Sequence, residues 1–444
     1  MFEHLDDPSP PEPTARTLGV VLERSARLRR RRTISGTVGV GVVALALGVL
    51  IGSSVTRSPV PANADFSSQA GVAAGTAVPL SDLEDVVFVS ETHGFALAAH
   101  GAQTALVEST NAGDTWHVVQ GDLPVQYPTQ IQFTDATHGY LWDGAPSSDG
   151  ALPLWVTSDG GQDWTQAPIG PVVSDVSAVG SNVWAVVGTC FISVSTPQSS
   201  CLVNIEVSTD SGSTWSSSAL APPVSESSAL SMSDQDVELA RMTLDHAYVL
   251  SFEPNGAGLK SSSGRLVYTA DGGRTWQPRI DPCPPYIDFG EQIAGSRTRD
   301  LWLVCASQAS AGTQAKAIYR SFDGGMSWTL ASAANAPVLS GNVVLPAGGG
   351  LPIGGYVTPY SLGHENLAVL SATTAWLFPD RTGVFETTDG GRSWEPVSVL
   401  ARAGLAGDGT GNVTFVDVTH GWVCETGTGL WRTSDGVDWK RLGP

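Results

Sequence analysis

Positive charge is scarce in this chain of 444 residues: 23 Lys and Arg stand against 43 Asp and Glu, a formal net charge of −20. Beyond residue 77 the first arginine is Arg241. So acidic a surface repels phosphate backbones and anionic headgroups, which excludes nucleic acid as a partner and leaves cations, basic proteins or neutral ligands. Charge of either sign is thin, at 15% of residues, while Gly reaches 50 and Pro 28. That profile excludes a helix-rich body and suits many short strands joined by turns. Two catalytic signatures are also missing. The Gly-Gly pairs fall in hairpin turns, not between a strand and a helix, so there is no phosphate loop; no Gly-x-Ser-x-Gly elbow precedes a helix. No cofactor and no metal are expected.

One run lacks charge altogether. Ile34 to Val55 is 22 residues without an ionisable side chain, long enough to cross a hydrocarbon core of ~30 Å as a helix. Arg27 and Arg29 to Arg32 precede it, and the positive-inside rule puts them in the cytoplasm. The expected organisation is a basic cytoplasmic tail over 1–33, a transmembrane helix over 34–55, a flexible Ser/Ala/Pro/Gly-rich tether over 56–77 and an extracytoplasmic domain over 78–444. The alternative is a cleaved export signal, because Arg31-Arg32 loosely resembles a twin-arginine motif and Ala62-Asn63-Ala64 a peptidase site. Either way the large domain is expected on the outer face of a cell membrane, in a bacterium.

What is abundant there is repetition. Seven polar segments end in tryptophan: Ser109 to Trp116, Thr157 to Trp164, Ser208 to Trp215, Thr269 to Trp276, Ser321 to Trp328, Thr387 to Trp394 and Thr433 to Trp439. The tryptophans recur every 45 to 66 residues, so each copy marks one supersecondary unit. Each repeat lays out as four short strands, the last beginning at its Trp. In the second they are expected at Ile131 to Thr134, Tyr140 to Trp142, Leu154 to Thr157 and Trp164 to Gln166. The expected fold is all-β, a seven-bladed propeller of four-stranded antiparallel blades. All four strands of the last blade come from the C-terminal end, so the ring is expected to close by blade packing without strand exchange.

Within each segment the third residue, Asn111, Asp159, Asp210, Asp271, Asp323, Asp389 or Asp435, is placed to accept turn N–H groups. The glycine at the fifth position supplies a left-handed conformation. The tryptophan is expected to cover the third strand of its own blade. The seventh copy lacks one residue before Trp439. A motif present in every blade reads as a hairpin lock, not as seven active sites.

Export makes the five cysteines legible. Cys190 and Cys201 flank a ten-residue insertion, as a loop staple would; Cys283 and Cys305 are a second candidate disulfide; Cys424 is left as a buried thiol. His93, His138 and His420 precede glycine in the same turn of repeats one, two and seven. Their equivalent turns are expected to lie too far apart to share a metal ion. Strand alternation puts first-to-second and third-to-fourth turns on one face, and the connections of variable length on the other. Long loops on a rigid scaffold are where binding resides, so Tyr286, Asp288, Tyr356, Tyr360, His364 and Glu365 are the candidate contact residues.

The tryptophan segments resemble the Asp-box, or BNR, repeat, Ser/Thr-x-Asp-x-Gly-x-Thr-x-Trp, of sialidases, some glycoside hydrolases and sorting receptors. With Phe133-Thr134-Asp135-Ala136-Thr137-His138-Gly139-Tyr140, and similar signatures at Phe88 to Phe95 and Phe415 to Trp422, the chain is most similar to propellers of the photosystem II stability and assembly factor type. The resemblance spans about 365 residues and implies a fold more than a function. A sialidase would need an Arg-Ile-Pro segment, which does not occur, and an arginine cluster early in the propeller. The expectation is a binding, scaffold or assembly module for a protein or glycan. The alternative is an exported glycoside hydrolase using a carboxylate pair on the loop-rich face.

Overall fold

The structure is a computed structural model describing residues 72–100, 103–125, 130–142, 151–191, 200–219, 237–251, 265–284, 290–297, 299–307, 314–334, 351–352, 367–379, 383–397 and 411–443. The expected cytoplasmic tail and transmembrane helix lie outside these residues. Among those described, no helix is long and apolar enough to cross a membrane.

Seven antiparallel sheets follow one another along the chain, spanning residues 77–120, 130–166, 172–219, 237–279, 290–334, 367–396 and 411–441. Six are four-stranded meanders in chain order, and blade 1 has five strands. Its extra strand, Ala77–Val78, pairs with Trp116 and His117 at the outer edge, and Gly75 donates its N–H to Val118 O. The last residues of the expected tether, from Val72 on, therefore belong to blade 1. The strand positions match expectation to within two residues or so: blade 2 has Gln130–Phe133, Gly139–Trp142, Trp155–Thr157 and Thr165–Gln166.

Burial falls steeply across each blade. The second strand is enclosed on both faces: Asp300–Ala306, Gly421–Glu425 and Gly139–Trp142 are buried at every residue. Such strands read as unbroken apolar runs because a neighbouring blade covers each face. The outer strands Thr165–Gln166 and Glu395–Pro396 are exposed throughout. A turn signature follows from the same packing. Phe88, Phe133 and Phe415 pair with Gly94, Gly139 and Gly421 across the first hairpin. A Cβ on Gly139 would stand 2.4 Å from the Phe133 ring, so glycine is the residue that lets the ring lie flat on the adjacent strand.

The motif tryptophans do not stop at their own blade. Trp276 of blade 4 meets Trp184 of blade 3, Trp394 of blade 6 meets Trp302 of blade 5, and Trp439 of blade 7 meets Trp376 of blade 6, with ring centroids 5.5–6.4 Å apart and edge-on. Trp215 and Trp328 join the clusters of Tyr140 and Tyr248 in the same way. The expectation that each ring covers its own third strand is corrected: the ring wedges against the second-strand aromatic of the preceding blade. The reason is the close approach of the whole turn. A Cβ on Gly161 would lie 2.1 Å from Leu106 in blade 1, so the turn docks on the preceding blade and delivers its Trp into the boundary.

Innermost strands are tied by polar side chains. The Asp85 carboxylate accepts Ile131 N–H at 3.1 Å, Gln132 Oε1 accepts Ala178 N–H at 2.9 Å, and Asp175 accepts Leu239 N–H at 2.7 Å. Glu238 accepts Ile293 N–H at 3.1 Å. Each occupies an N–H on a strand edge that would otherwise be unpaired. Between blades 7 and 1, Asn412 donates to Asp85 Oδ1 at 2.9 Å and to Val86 O at 2.7 Å. Phe88 stacks on Trp422 with centroids 3.6 Å apart. The last blade takes all its strands from residues 411–441, so the ring closes by contacts between blades, without strand exchange.

Candidate functional site

The two faces of the ring differ in kind. On the turn face one network recurs: Ser208 Oγ donates to Asp210 Oδ1 at 2.7 Å, Gly212 N–H donates to Ser208 Oγ at 2.8 Å, and Asp210 Oδ1 accepts Thr214 N–H at 2.8 Å. The same bonds lock Asp271, Asp323 and Asp389, while Asn111 reproduces them without the charge. The shortened seventh turn keeps its Asp435 acceptor. The fourth residue donates back to the first hairpin of its own blade, as in Gly160 N to Thr137 O at 2.9 Å and Gly436 N to Thr419 O at 2.9 Å. These bonds hold the carboxyls of Asp210, Asp271 and Asp323 down at about 2, the Thr214, Thr275 and Ser327 hydroxyls being the main cause. Carboxylates so occupied are structural acceptors.

The three histidines divide. His138 Nδ1 lies 2.9 Å from Asp135 Oδ2, and His420 Nδ1 lies 2.9 Å from Asp417 Oδ2, each inside its own turn. His93 stacks on Phe95 and faces Glu108 at 3.4 Å. The expected wide separation of equivalent turns is corrected at the ring closure: His420 Nε2 of blade 7 is 3.8 Å from Glu91 of blade 1. Glu91, Asp417 and His420 bring one ligand atom each within 4.8 Å of one another. Asp417 is committed to the N–H groups of Thr419 and His420, so the group is a polar contact between blades 7 and 1.

The contact candidates chosen from sequence were assigned to the loop-rich face. Tyr286, Asp288, Tyr356, Tyr360, His364 and Glu365 all lie outside the described residues. What the structure describes is the frame around the first two. Cys283 and Cys305 form a disulfide with Cα atoms 5.6 Å apart, which anchors the segment entering that loop to the second strand of blade 5. Glu291 pairs with Cys305 across the next hairpin, so the loop is pinned at both ends. Asp281 accepts Cys283 N–H at 2.9 Å, and carboxylate oxygens of Asp281 and Glu291 lie within 4.8 Å of each other. Glu291 is buried and Asp281 half-buried. Sequence reasoning missed this pair; the available signal was two acids bracketing a loop whose ends are fixed by cysteines. The pair is spaced to hold a hard cation, whereas the Cys283 sulfur, already in the disulfide, offers no thiolate.

Nearby, the Lys316 ammonium is fully buried and donates to Pro352 O at 3.1 Å; burial pushes it down to about 8. Cys190 and Cys201 stand directly opposite each other in a hairpin, their side chains lying outside those described. Cys424 is a free thiol, buried, its Sγ 3.8 Å from Leu83 O, and burial holds it far above the ordinary thiol range.

No protein-family model matches the chain, and no curated protein matches it. Solved structures do. YCF48 from Cyanidioschyzon merolae is 14% identical with a TM-score of 0.50, covering 82% of this chain and 99% of that one. An ancestral GH74 enzyme is 15% identical with a TM-score of 0.51, covering 84% of this chain and 48% of that one, so this chain spans about half its length. YCF48 bound to D1 peptide is 16% identical with a TM-score of 0.49, covering 81% and 95%. At these identities the first two establish a likeness of fold alone.

Proposed function

We propose that the chain is a membrane-anchored binding module, its propeller held outside the cell membrane by the apolar segment 34–55 and engaging a protein or glycan through the loop-rich face. The observation that carries this reading is the contrast between faces. Every turn on one face is closed by its own hydrogen bonds, while the strand ends of the other launch connections of unequal length, from residues 192–199 to 335–366. A rigid ring presenting unlike loops is a recognition surface. The seven turns fit the Asp-box pattern in sequence and in hydrogen bonding, and on this reading they serve the scaffold.

The test is affinity capture from membranes with the full-length anchored chain, comparing it with a variant whose 285–289 loop is replaced by Gly and Ser. Loss of a captured partner in the loop variant supports the reading. Equal capture by both, or recovery of the intact chain in the soluble fraction, defeats it.

The second reading, an exported glycoside hydrolase, rests on Asp281 and Glu291. Their oxygens lie within 4.8 Å of each other, close enough for a retaining arrangement, in which carboxyl groups roughly 5–5.5 Å apart act as nucleophile and proton shuttle. Reducing-sugar release from β-linked oligosaccharides, abolished in both Asp281→Asn and Glu291→Gln, would establish it in place of the binding module.

A further inference from the structure

Independently of the loop-rich face, the turn face carries features that its own fold does not use. In blade 5 the second and sixth motif positions are Phe322 and Met326, 66% and 58% exposed. The other copies carry Thr, Ser or Ala at the second position. No hydrogen bond of the turn involves either side chain; the Phe322 ring rests on the Arg320 guanidinium, 4.8 Å beneath. Ile280, 58% exposed, reaches the same turn from blade 4, its N–H donated to Gly325 O. Among the described residues, all seven exposed large hydrophobics sit in the turns of this face or at its rim. Apolar exposure concentrated on one face marks an interaction surface.

Charge on the same face is split. The turns flanking the Phe322 patch carry exposed Arg274 and Arg392 at their sixth positions. Across the ring, residues 58–240 contain no Lys or Arg at all and 20 Asp and Glu, with Asp135 and Asp163 exposed in the turns of blade 2. Blade 5 stands opposite the boundary of blades 1 and 2 in a seven-membered ring. A two-fold axis lying in the plane of the face, perpendicular to the line from blade 5 to that boundary, sets blade 5 of each copy over blades 1 and 2 of the other. The contact closes on itself. The turns are eight residues long in six blades and seven in the last, which keeps the face level enough for two rings to meet.

We infer that the turn face is self-complementary, and that the arginine-flanked Phe322 and Met326 patch docks, in a second copy of this chain, on the acidic turns of blades 1 and 2, which carry no Lys or Arg of their own and receive one cation, Arg432 of blade 7, at Asp114. The committed occupant is a second copy because the acidic, lysine-free surface that the patch requires is present on the molecule itself. Charge pairing sets orientation and the apolar side chains supply the buried centre.

The test uses the full-length chain in detergent micelles and in native membranes. Light scattering is expected to give a dimer, and Phe322→Ser with Met326→Ser to shift it to monomer with an unchanged melting temperature, since serine at these positions suits the other turns. Met326→Cys combined with Gln162→Cys is expected to cross-link two chains on oxidation, and neither single variant to do so. The inference is overturned by a monomeric wild type, by a dimer indifferent to the serine variants, as an interface through the apolar segment would give, by failure of the double-cysteine chain to cross-link, or by a monomer that uses Phe322 to hold a different acidic protein.

Discussion

Blades 1 to 3 and blades 4 to 7 build the same ring from different chemistry. Between Arg57 and Arg241 there is no basic residue against 20 acids, and from Arg241 onward there are 15 bases against 18 acids. The boundaries follow suit. Between blades 5 and 6, Arg320 lies 3.7 Å over Trp302 and donates to Ala372 O and Gly390 O of the next blade, with Asp300 as counter-ion at 2.5 Å. Between blades 3 and 4, Arg241 lies 4.7 Å over Trp184 and donates to Ser177 O and Asn182 O. Between blades 7 and 1, Arg432 donates to Ala112 O. The boundary of blades 1 and 2 has no such cation among the described residues; Phe95 stacks on Phe133 at 3.7 Å, and the polar links include Asp85 accepting Ile131 N–H and Gln120 Nε2 donating to Gln162 O at 3.2 Å. One geometry thus admits a guanidinium clamp or an aromatic stack, and arginine adds cohesion where carbonyls of two blades converge on one aromatic ring.

The comparison can be broken most severely at Arg320. Arg320→Met is expected to destabilise the propeller by about 3–5 kcal/mol, because it removes the guanidinium from a buried ion pair and leaves Asp300, among the described residues, with only the Ser296 hydroxyl; urea denaturation measures it. At the arginine-free boundary, Phe133→Ala is expected to cost about 3 kcal/mol through the cavity it leaves. A loss equal to that of Arg320→Met would mean the two kinds of boundary are equally strong. Asn412→Ala, at the closure, is expected to cost about 1–2 kcal/mol by leaving Val86 O and Asp85 short of a donor. Its protection loss in hydrogen exchange should appear first at the innermost strands of blades 1 and 7.

The smallest effects per group are those of the turn carboxylates, shared by both halves. Asp210, Asp271 and Asp323 fall from an ordinary 3.8 to about 2 in the folded chain. A depressed carboxyl contributes stability that is complete above its unfolded value and disappears as pH drops through the folded one. Melting temperature should therefore fall between about pH 4 and pH 2. Asp271→Asn should flatten that decline slightly, as Asn111 already does in blade 1.

Much of this was legible in the sequence because the turns are locally determined. Ser208 receives Gly212 N–H and donates to Asp210, which accepts Thr214 N–H, all within seven residues, so spacing alone fixes the network, and Phe133 with Gly139 closes within a single hairpin. The partners across blade boundaries were not legible. Trp394 reaches Ser332 and Trp302 from 62 or more residues away, and nothing in the motif says which blade receives the ring. The Asp281 and Glu291 pair was hidden for the same reason, being brought together by a disulfide and a strand register. The lone thiol at Cys424 could be read by elimination once Cys190 was assigned to Cys201 and Cys283 to Cys305.

Closure without strand exchange has a consequence for how the ring comes into being. Each blade is a contiguous stretch of chain that completes its own sheet, so it can fold in the order it is synthesised, with no strand held back for the end. Only one event is non-local, the docking of blade 7 on blade 1, and every earlier blade can form before it. Joining residues 443 and 72 by a short linker and cutting at any other blade boundary should leave the same molecule. In that sense the chain has seven equivalent starting points, and the position of its ends is an accident of connectivity, not a requirement of the fold.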